Sequence, residues 1–230
     1  MERIIYIETA TSLCTTALSE NGEVVCTRES VTAKSQASMT IPLIAQMLHE
    51  RGLSVKDCDA ICVSKGPGSY TGLRVGSSTA KGLCFGASLP LIAVGTLDTL
   101  VWGAVEGGLL PDGCNAIVPM IDARRMEVYS AIFTPDGKQM SETSPLIVDG
   151  SSFAEQLEQG PVLFIGDGAD KCRGTIMHPN ARFFQCCPRA EWMVTPATAA
   201  FKERRFENTA YFEPFYLKQF VATVIGKKLF

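Results

Sequence analysis

The sequence predicts an α/β protein assembled from two halves of similar architecture. Three observations carry that expectation. A short apolar run ends at an acid twice, at Glu8 and at Asp122. Each run is followed by a polar turn of hairpin type, Glu20-Asn-Gly-Glu23 in one case and Pro135-Asp-Gly137 in the other. Each half then passes through a helix, a buried strand and a glycine turn into a further helix. Asn21 lies 13 residues beyond Glu8 and Asp136 lies 14 beyond Asp122, yet no residue-level repeat accompanies the match. The order of elements is what is duplicated, and two packed α/β subdomains with a cleft between them follow from it.

In the first half, residues 3–9 read as a strand ending in the small polar run Thr9-Ala-Thr-Ser12. Residues 14–19 and 24–29 are strands joined by the Asn-Gly turn, giving three antiparallel strands. Ser35 opens a helix with Met39, Leu43, Ile44, Met47 and Leu48 on one stripe, and Gly52 stops it. Ala60 to Val63 is a buried strand, ended by Gly66, Pro67 and Gly68, and helical spacing resumes from there to about Gly86. Residues 91–94 form the next strand, and Thr96 caps a helix to about Val105.

The glycine turn presents free backbone N–H groups at a helix N-terminus, where they meet an anion or a partner chain. It is not a P-loop, because Thr71 and Gly72 stand where Gly and Lys belong. Gly66, Gly68 and Gly72 do fit a stretched dinucleotide loop, but no ribose-binding acid closes the following strand. Beyond the turn, Gly72, Gly76, Ala80 and Cys84 fall four apart, beside an apolar stripe of Val75, Thr79 and Leu83. Such a small-residue stripe suits close packing, against either this chain's own core or a second chain.

Glu106-Gly-Gly-Leu-Leu-Pro-Asp-Gly113 interrupts both periodicities and reads as a linker. After it come a strand at residues 116–121, strands near 126–133 and 139–148, a helix from Ser152, a buried strand at 162–165, the turn Gly166-Asp-Gly168 and a helix from Ala169. Thr195 and Pro196 then cap and start a final helix to about Phe206, which folds back onto the first half. The resulting division is 1–106 and 116–194 as the two subdomains, the second smaller, with 107–115 between them and 195–230 as a returning helix and tail.

Composition narrows the function. The 230 residues are 46% hydrophobic and 20% charged, ordinary for a globular protein. No apolar stretch approaches a membrane span or a signal peptide, which predicts a cytoplasmic protein. Nine cysteines without a Cys-x-x-Cys pair read as reduced core thiols. Only two histidines, His49 and His178, are present, which disfavours both a metal site and a His-based triad around Ser69 or Ser12. A net charge of −3 disfavours an autonomous nucleic-acid binder. From Ala200 onward, however, six Lys or Arg face three Glu, so a basic tail touching RNA stands beside the simpler reading of a solvated helix face.

Taken together, Ile7-Glu-Thr-Ala-Thr11, Gly66-Pro-Gly-Ser-Tyr-Thr-Gly-Leu-Arg74, Ile121-Asp-Ala-Arg124 with Glu127-Val-Tyr129, and Tyr216-Leu-Lys218 resemble the TsaB (YeaZ) family across nearly the whole chain. The resemblance implies an actin-like (ASKHA) α/β fold of two ribonuclease-H-like halves, with mixed sheets flanked by helices. It implies a non-catalytic partner of a TsaD-type transferase. With the ATPase TsaE, such complexes place a threonylcarbamoyl group on the tRNA adenosine beside the anticodon, using an adenylate made by another enzyme. Members pair with TsaD through helices that correspond here to residues 35–51 and 71–86. The contact residues so implied are Met39, Leu43, Met47, Gly72, Leu73, Gly76, Ser77, Ala80, Lys81 and Cys84. The sequence departs from the pattern where Lys34-Ser-Gln-Ala-Ser38 replaces a His-Ser-Glu type run and where Glu8 stands at a position that is often Asp.

Two functions are thereby set against each other. One is an accessory subunit with no catalytic residue, metal or resident cofactor of its own, partnered by TsaD and TsaE, meeting tRNA through the complex and forming a homodimer when alone. The other is an independent ATPase or kinase, with Glu8 and Asp122 flanking a Mg-nucleotide and Thr11, Gly166 and Gly168 beside it. ATP or ADP with Mg would sit in the cleft or at the partner interface.

Overall fold

The computed structural model of the chain describes residues 1–32 and 35–217. Lys34, Lys218 of the Tyr-Leu-Lys motif, and the basic residues Lys227 and Lys228 lie outside the described residues.

Strands β1 (Arg3–Glu8), β2 (Cys14–Glu20), β3 (Glu23–Ser30), β4 (Ala60–Ser64) and β5 (Leu91–Val94) form one sheet in the order β3-β2-β1-β4-β5. The first three strands run antiparallel, and β1, β4 and β5 run parallel. The β2–β3 turn places Asn21 at φ 53° and Gly22 at φ 83°, the left-handed pair that an Asn-Gly hairpin supplies. A second sheet contains β6 (Ala116–Asp122), β7 (Glu127–Ser130), β8 (Ser144–Ile147), β9 (Val162–Ile165) and β10 (Ala181–Phe184). Its order, β8-β7-β6-β9-β10, and its parallel and antiparallel pairs repeat those of the first sheet strand for strand. The duplicated architecture read from the sequence is therefore present as duplicated topology.

Alternation of side chains along each strand gives both sheets two buried faces. On the first sheet, Ile5, Ile7, Leu18, Ile61 and Val63 pack under α1 (Gln36–Glu50) and α2 (Tyr70–Ala87). The opposite face, with Ile4, Tyr6, Ala17, Cys62 and Ile92, is covered by the 3-10 turn Ala190–Met193 and by α6 (Val194–Lys202). On the second sheet, Ile117, Ile121, Leu163 and Ile165 pack under Leu97, Leu100, Val101 and Ala104 of α3 (Thr96–Glu106). Its other face packs on Leu157 of α4 (Ala154–Gln159) and Cys172 of α5 (Ala169–Cys172). The halves thus exchange covers: α3, which leaves the first sheet, lies on the second, and α6, which leaves the second, lies on the first. Each fully buried Ile or Leu in these layers contributes roughly 1.5–3 kcal/mol.

Several boundaries differ from the sequence expectation. Thr96 is the first residue of α3 instead of its cap, because its hydroxyl is already paired with Ser64 Oγ at 2.8 Å; Gly95 takes the cap position. The final helix starts at Val194, so Pro196 is its third residue, and it ends at Lys202, short of Phe206. β10 was outside the sequence expectation; its half-buried and exposed residues alternate over only four positions, a signal easily lost between Pro179 and Pro188. The strand expected at 126–133 breaks after Ser130, leaving Phe133 as a single bridge to Ile117 and to Gln139.

The small-residue stripe of α2 faces inward. Gly72, Gly76, Ala80 and Cys84 are all buried, and a Cβ on Gly72 or Gly76 would overlap the Thr9 carbonyl or hydroxyl oxygen. Thr9 Oγ1 donates to Gly72 O at 2.8 Å, so the helix backbone is fastened directly to the end of β1. Of the two partners the stripe admitted, this chain's own core is the one it meets. Gly72→Val is therefore expected to lower the urea-unfolding free energy by about 2–3 kcal/mol through overpacking. Gly82→Ala, whose added Cβ meets nothing within 4 Å on the outer face of the same helix, is expected to raise it by up to ~1 kcal/mol. Equal effects at the two positions would contradict this orientation of α2.

Candidate functional site at the junction of the halves

Glu8 ends β1 where the two halves meet, and it is fully buried. Its Oε1 accepts from the Ala10 backbone N–H at 2.6 Å. The Ser64 hydroxyl lies near enough to favour the ionised form, but Oε2 keeps no hydrogen bond of normal geometry among the described residues. Desolvation dominates and pushes the carboxyl up to about 7, with a smaller upward contribution from Asp167 across the junction. Thr11 is buried with its hydroxyl unpartnered among the described residues, while its carbonyl accepts from Gln36 Nε2 at 2.8 Å, tying α1 to this loop.

Asp122 does not oppose Glu8 as the sequence expectation had it. Its side chain is exposed and ion-paired with Lys171 of α5, while its backbone N–H donates to Asp167. The acid that reaches the electrostatic surroundings of Glu8 is Asp167, between the two glycines of the Gly166-Asp-Gly168 turn. Burial pushes Asp167 up to about 6, opposed by a hydrogen bond in which its Oδ1 accepts from Asp122 N at 2.9 Å. Spacing alone could not have selected it, since its approach depends on how the second half is turned against the first.

Gly166 and Gly168 also have a packing duty in place of an open loop. A Cβ on Gly166, at φ +134°, would overlap the Met120 carbonyl oxygen, and one on Gly168 would come within 3.0–3.2 Å of Val128 and the Ile121–Asp122 backbone. Gly68 meets Ala10 in the same manner in the first half, and Ser69 N donates to Ala10 O at 2.7 Å. Both glycine turns are pressed onto the ends of the central strands, where a phosphate would otherwise approach.

The serine hydroxyls carry no nucleophile pattern. Ser69 Oγ accepts from Gly72 N at 3.3 Å and caps α2, and Ser12 Oγ lies 3.8 Å from Cys187 Sγ. Among the described residues no group of three or more His, Cys, Asp or Glu side chains is arranged to hold a metal, and no helix is long and apolar enough to cross a membrane.

Eight of the ten expected contact residues belong to the chain's own interior. Leu43, Met47, Gly72, Leu73, Gly76, Ser77, Ala80 and Cys84 are buried, which corrects their assignment to a partner surface; Met39 and Lys81 are half-buried. Lys81 Nζ instead donates to the carbonyls of Ala210 and Phe212, both at 3.1 Å. The outer face of the same two helices is formed by other residues. Ala45 and Ser78 are exposed, Ile41 and Phe85 are 48% and 89% exposed, and Gly82 and Gly86 open onto empty space. The small-residue stripe of α2 was read at the right period, but the second small face at Ser78, Gly82 and Gly86 was not singled out, and it is the one left exposed.

The family model for tRNA N6-adenosine threonylcarbamoyltransferase, TsaD, matches residues 29–218. The tRNA threonylcarbamoyladenosine biosynthesis protein TsaB of Escherichia coli K12 is 32% identical over an alignment of 235 positions, covering 96% of each chain. The protein of the same name from Bacillus subtilis is 29% identical over 71% of this chain and 70% of its own. A solved structure from Pseudomonas aeruginosa, described as similar to peptidase YeaZ, aligns with a TM-score of 0.82 at 24% identity over 95% of this chain and 100% of that one, a likeness of fold. An activator of the 2-hydroxyisocaproyl-CoA dehydratase from Clostridium difficile also shares the fold, at a TM-score of 0.51 and 9% identity over 88% of this chain and 96% of that one.

The raised carboxyl of Glu8 makes stability depend on pH. Its folded value of about 7 lies above the ordinary 4.5, so the unfolded chain releases the proton first as pH rises. The associated stability is complete below about 4.5 and is lost as pH climbs through 7, a loss on the order of 3 kcal/mol. Glu8→Gln is expected to remove this part of the decline and to be more stable than the parent at pH 8. Urea titrations at pH 5 and pH 8 test it, and an unchanged pH slope in the variant would count against a buried, desolvated Glu8.

Proposed function

Because the chain belongs to the TsaB (YeaZ) family, we propose that it serves threonylcarbamoyladenosine formation on tRNA as a non-catalytic subunit that binds and activates a TsaD-type transferase. The observation that carries this reading is the sealed junction. A Mg-nucleotide held in actin-like fashion needs acids open to the cleft from both halves. Here Glu8 is buried, Asp122 is engaged by Lys171, and both glycine turns lie against strand ends. Of these two acids among the described residues only Asp122 reaches solvent, which weighs against independent ATP turnover.

The docking surface in this reading is the outer face of α1 and α2. Its small residues at Ala45, Ser78, Gly82 and Gly86 permit a close approach of partner helices, with Ile41 and Phe85 as apolar anchors. The TsaE-type ATPase and tRNA join through the complex in the cytoplasm, and the same face forms a homodimer when the transferase is absent. Nucleotide and Mg, where needed, belong to the partner or to the shared interface.

Co-purification with the TsaD-type protein tests this directly. Gly82→Arg and Ala45→Glu are expected to weaken the complex by at least tenfold, about 1.4 kcal/mol, with each variant still folding cooperatively as a monomer. Modified adenosine in tRNA should fall with the complex in a strain depending on the variant. Glu8→Gln should retain both complex and modification. Loss of modification in Glu8→Gln with an intact complex would favour catalysis by this chain instead.

A further inference from the structure

A cleft of about 450 Å³ lies between the ends of β4 and β5 and the segment that precedes β8. Lys65 follows β4 and Gly95 follows β5, so the cleft lies at the carboxyl ends of adjacent parallel strands, where open α/β sheets receive small ligands. Its volume is in the range of metabolite sites.

The charges in the cleft are arranged unusually. Lys65 and Asp98 are each half-buried, and Lys65 is the charged group that favours the ionised form of Asp98 against its desolvation. Yet no direct ion pair joins them among the described residues, and the Lys65 ammonium has no hydrogen-bond partner there. Asp98 is held back over the start of α3, its Oδ2 so close to Gly95 that any Cβ at that position would collide with it. A lysine and a carboxylate thus line one cleft without pairing directly, and Lys65 also borders the neighbouring cavity beside Glu207 and Glu213. Lys65 and Asp98 each favour a ligand group of the opposite sign. Leu97 and Phe215 supply an apolar wall, and Glu142 adds a second carboxylate at the rim. Two carboxylates beside one lysine disfavour a polyanion such as a nucleoside di- or triphosphate.

We propose that this cleft binds a free α-amino acid, its carboxylate on Lys65, its ammonium on Asp98 and its side chain against Leu97 and Phe215. The site is separate from the partner-docking face, and its test uses the isolated chain, so its failure and failure of the accessory-subunit reading are distinguishable.

Calorimetric titration of the full chain with each of the twenty L-α-amino acids at millimolar concentration is the direct test. A saturable one-site isotherm is expected for one or a few of them. Lys65→Met and Asp98→Asn should each weaken that binding by at least about tenfold. On the unaltered protein, the amide of the best ligand and its des-amino analogue should lose affinity to a similar extent, a readout that does not depend on either variant folding. The proposal is overturned if no amino acid binds, if both variants and both analogues bind as well as their parents, or if inorganic phosphate or AMP occupies Lys65 in preference.

Discussion

The seating of α2 on the end of β1 is the contact on which the rest of the molecule depends. Thr9 and Ala10 continue β1 into the loop that Gly68, Gly72 and Gly76 meet at a distance no side chain would tolerate. The bond from Thr9 Oγ1 to Gly72 O and the bond from Ser69 N to Ala10 O fix helix and strand in one register. Once that register is set, the inner stripe of α2 is committed to the core. Ser78, Gly82 and Gly86 are then left outward, and Glu8 is closed over at the foot of the same loop.

The exchange of covering helices extends this constraint across the molecule. Neither sheet is covered by its own half alone, since α3 supplies one face of the second sheet and α6 one face of the first. Opening the junction would therefore expose apolar surface on both sheets at once, so its closure is supported by far more than the contacts of its polar residues. A buried carboxylate can persist there because the surrounding layers fix its position; the consequence is a pKa displaced toward neutrality, not a solvated acid available to a metal.

This closure changes the meaning of the actin-like topology. The duplicated order of strands here brings Asp167 into the electrostatic neighbourhood of Glu8 and presses both glycine turns onto neighbouring backbone. Topology and site chemistry are separable, and the fold by itself does not confer turnover. Two exposed features stand out: a helical face with small residues and the apolar side chains Ile41 and Phe85, and a cleft of mixed charge at the strand ends.

Much of the fold was legible in the sequence because it rests on local rules. The Asn21-Gly22 turn, the apolar runs of β1, β4, β6 and β9, and the repeated order of elements are set by backbone propensity and side-chain period, which act within a few residues. The edge strand β10 and the true start of α6 were not, since a four-residue alternation and a Pro at the third helical position carry weak local signals. The site was less legible still. Sequence located the glycine turns and both strand-end acids, but it could not decide that Asp167 and not Asp122 approaches Glu8, nor which small-residue stripe of α2 is buried. Those choices are made by the packing of segments far apart in the chain, and a periodic pattern fixes the faces of a helix without fixing which of them meets the core.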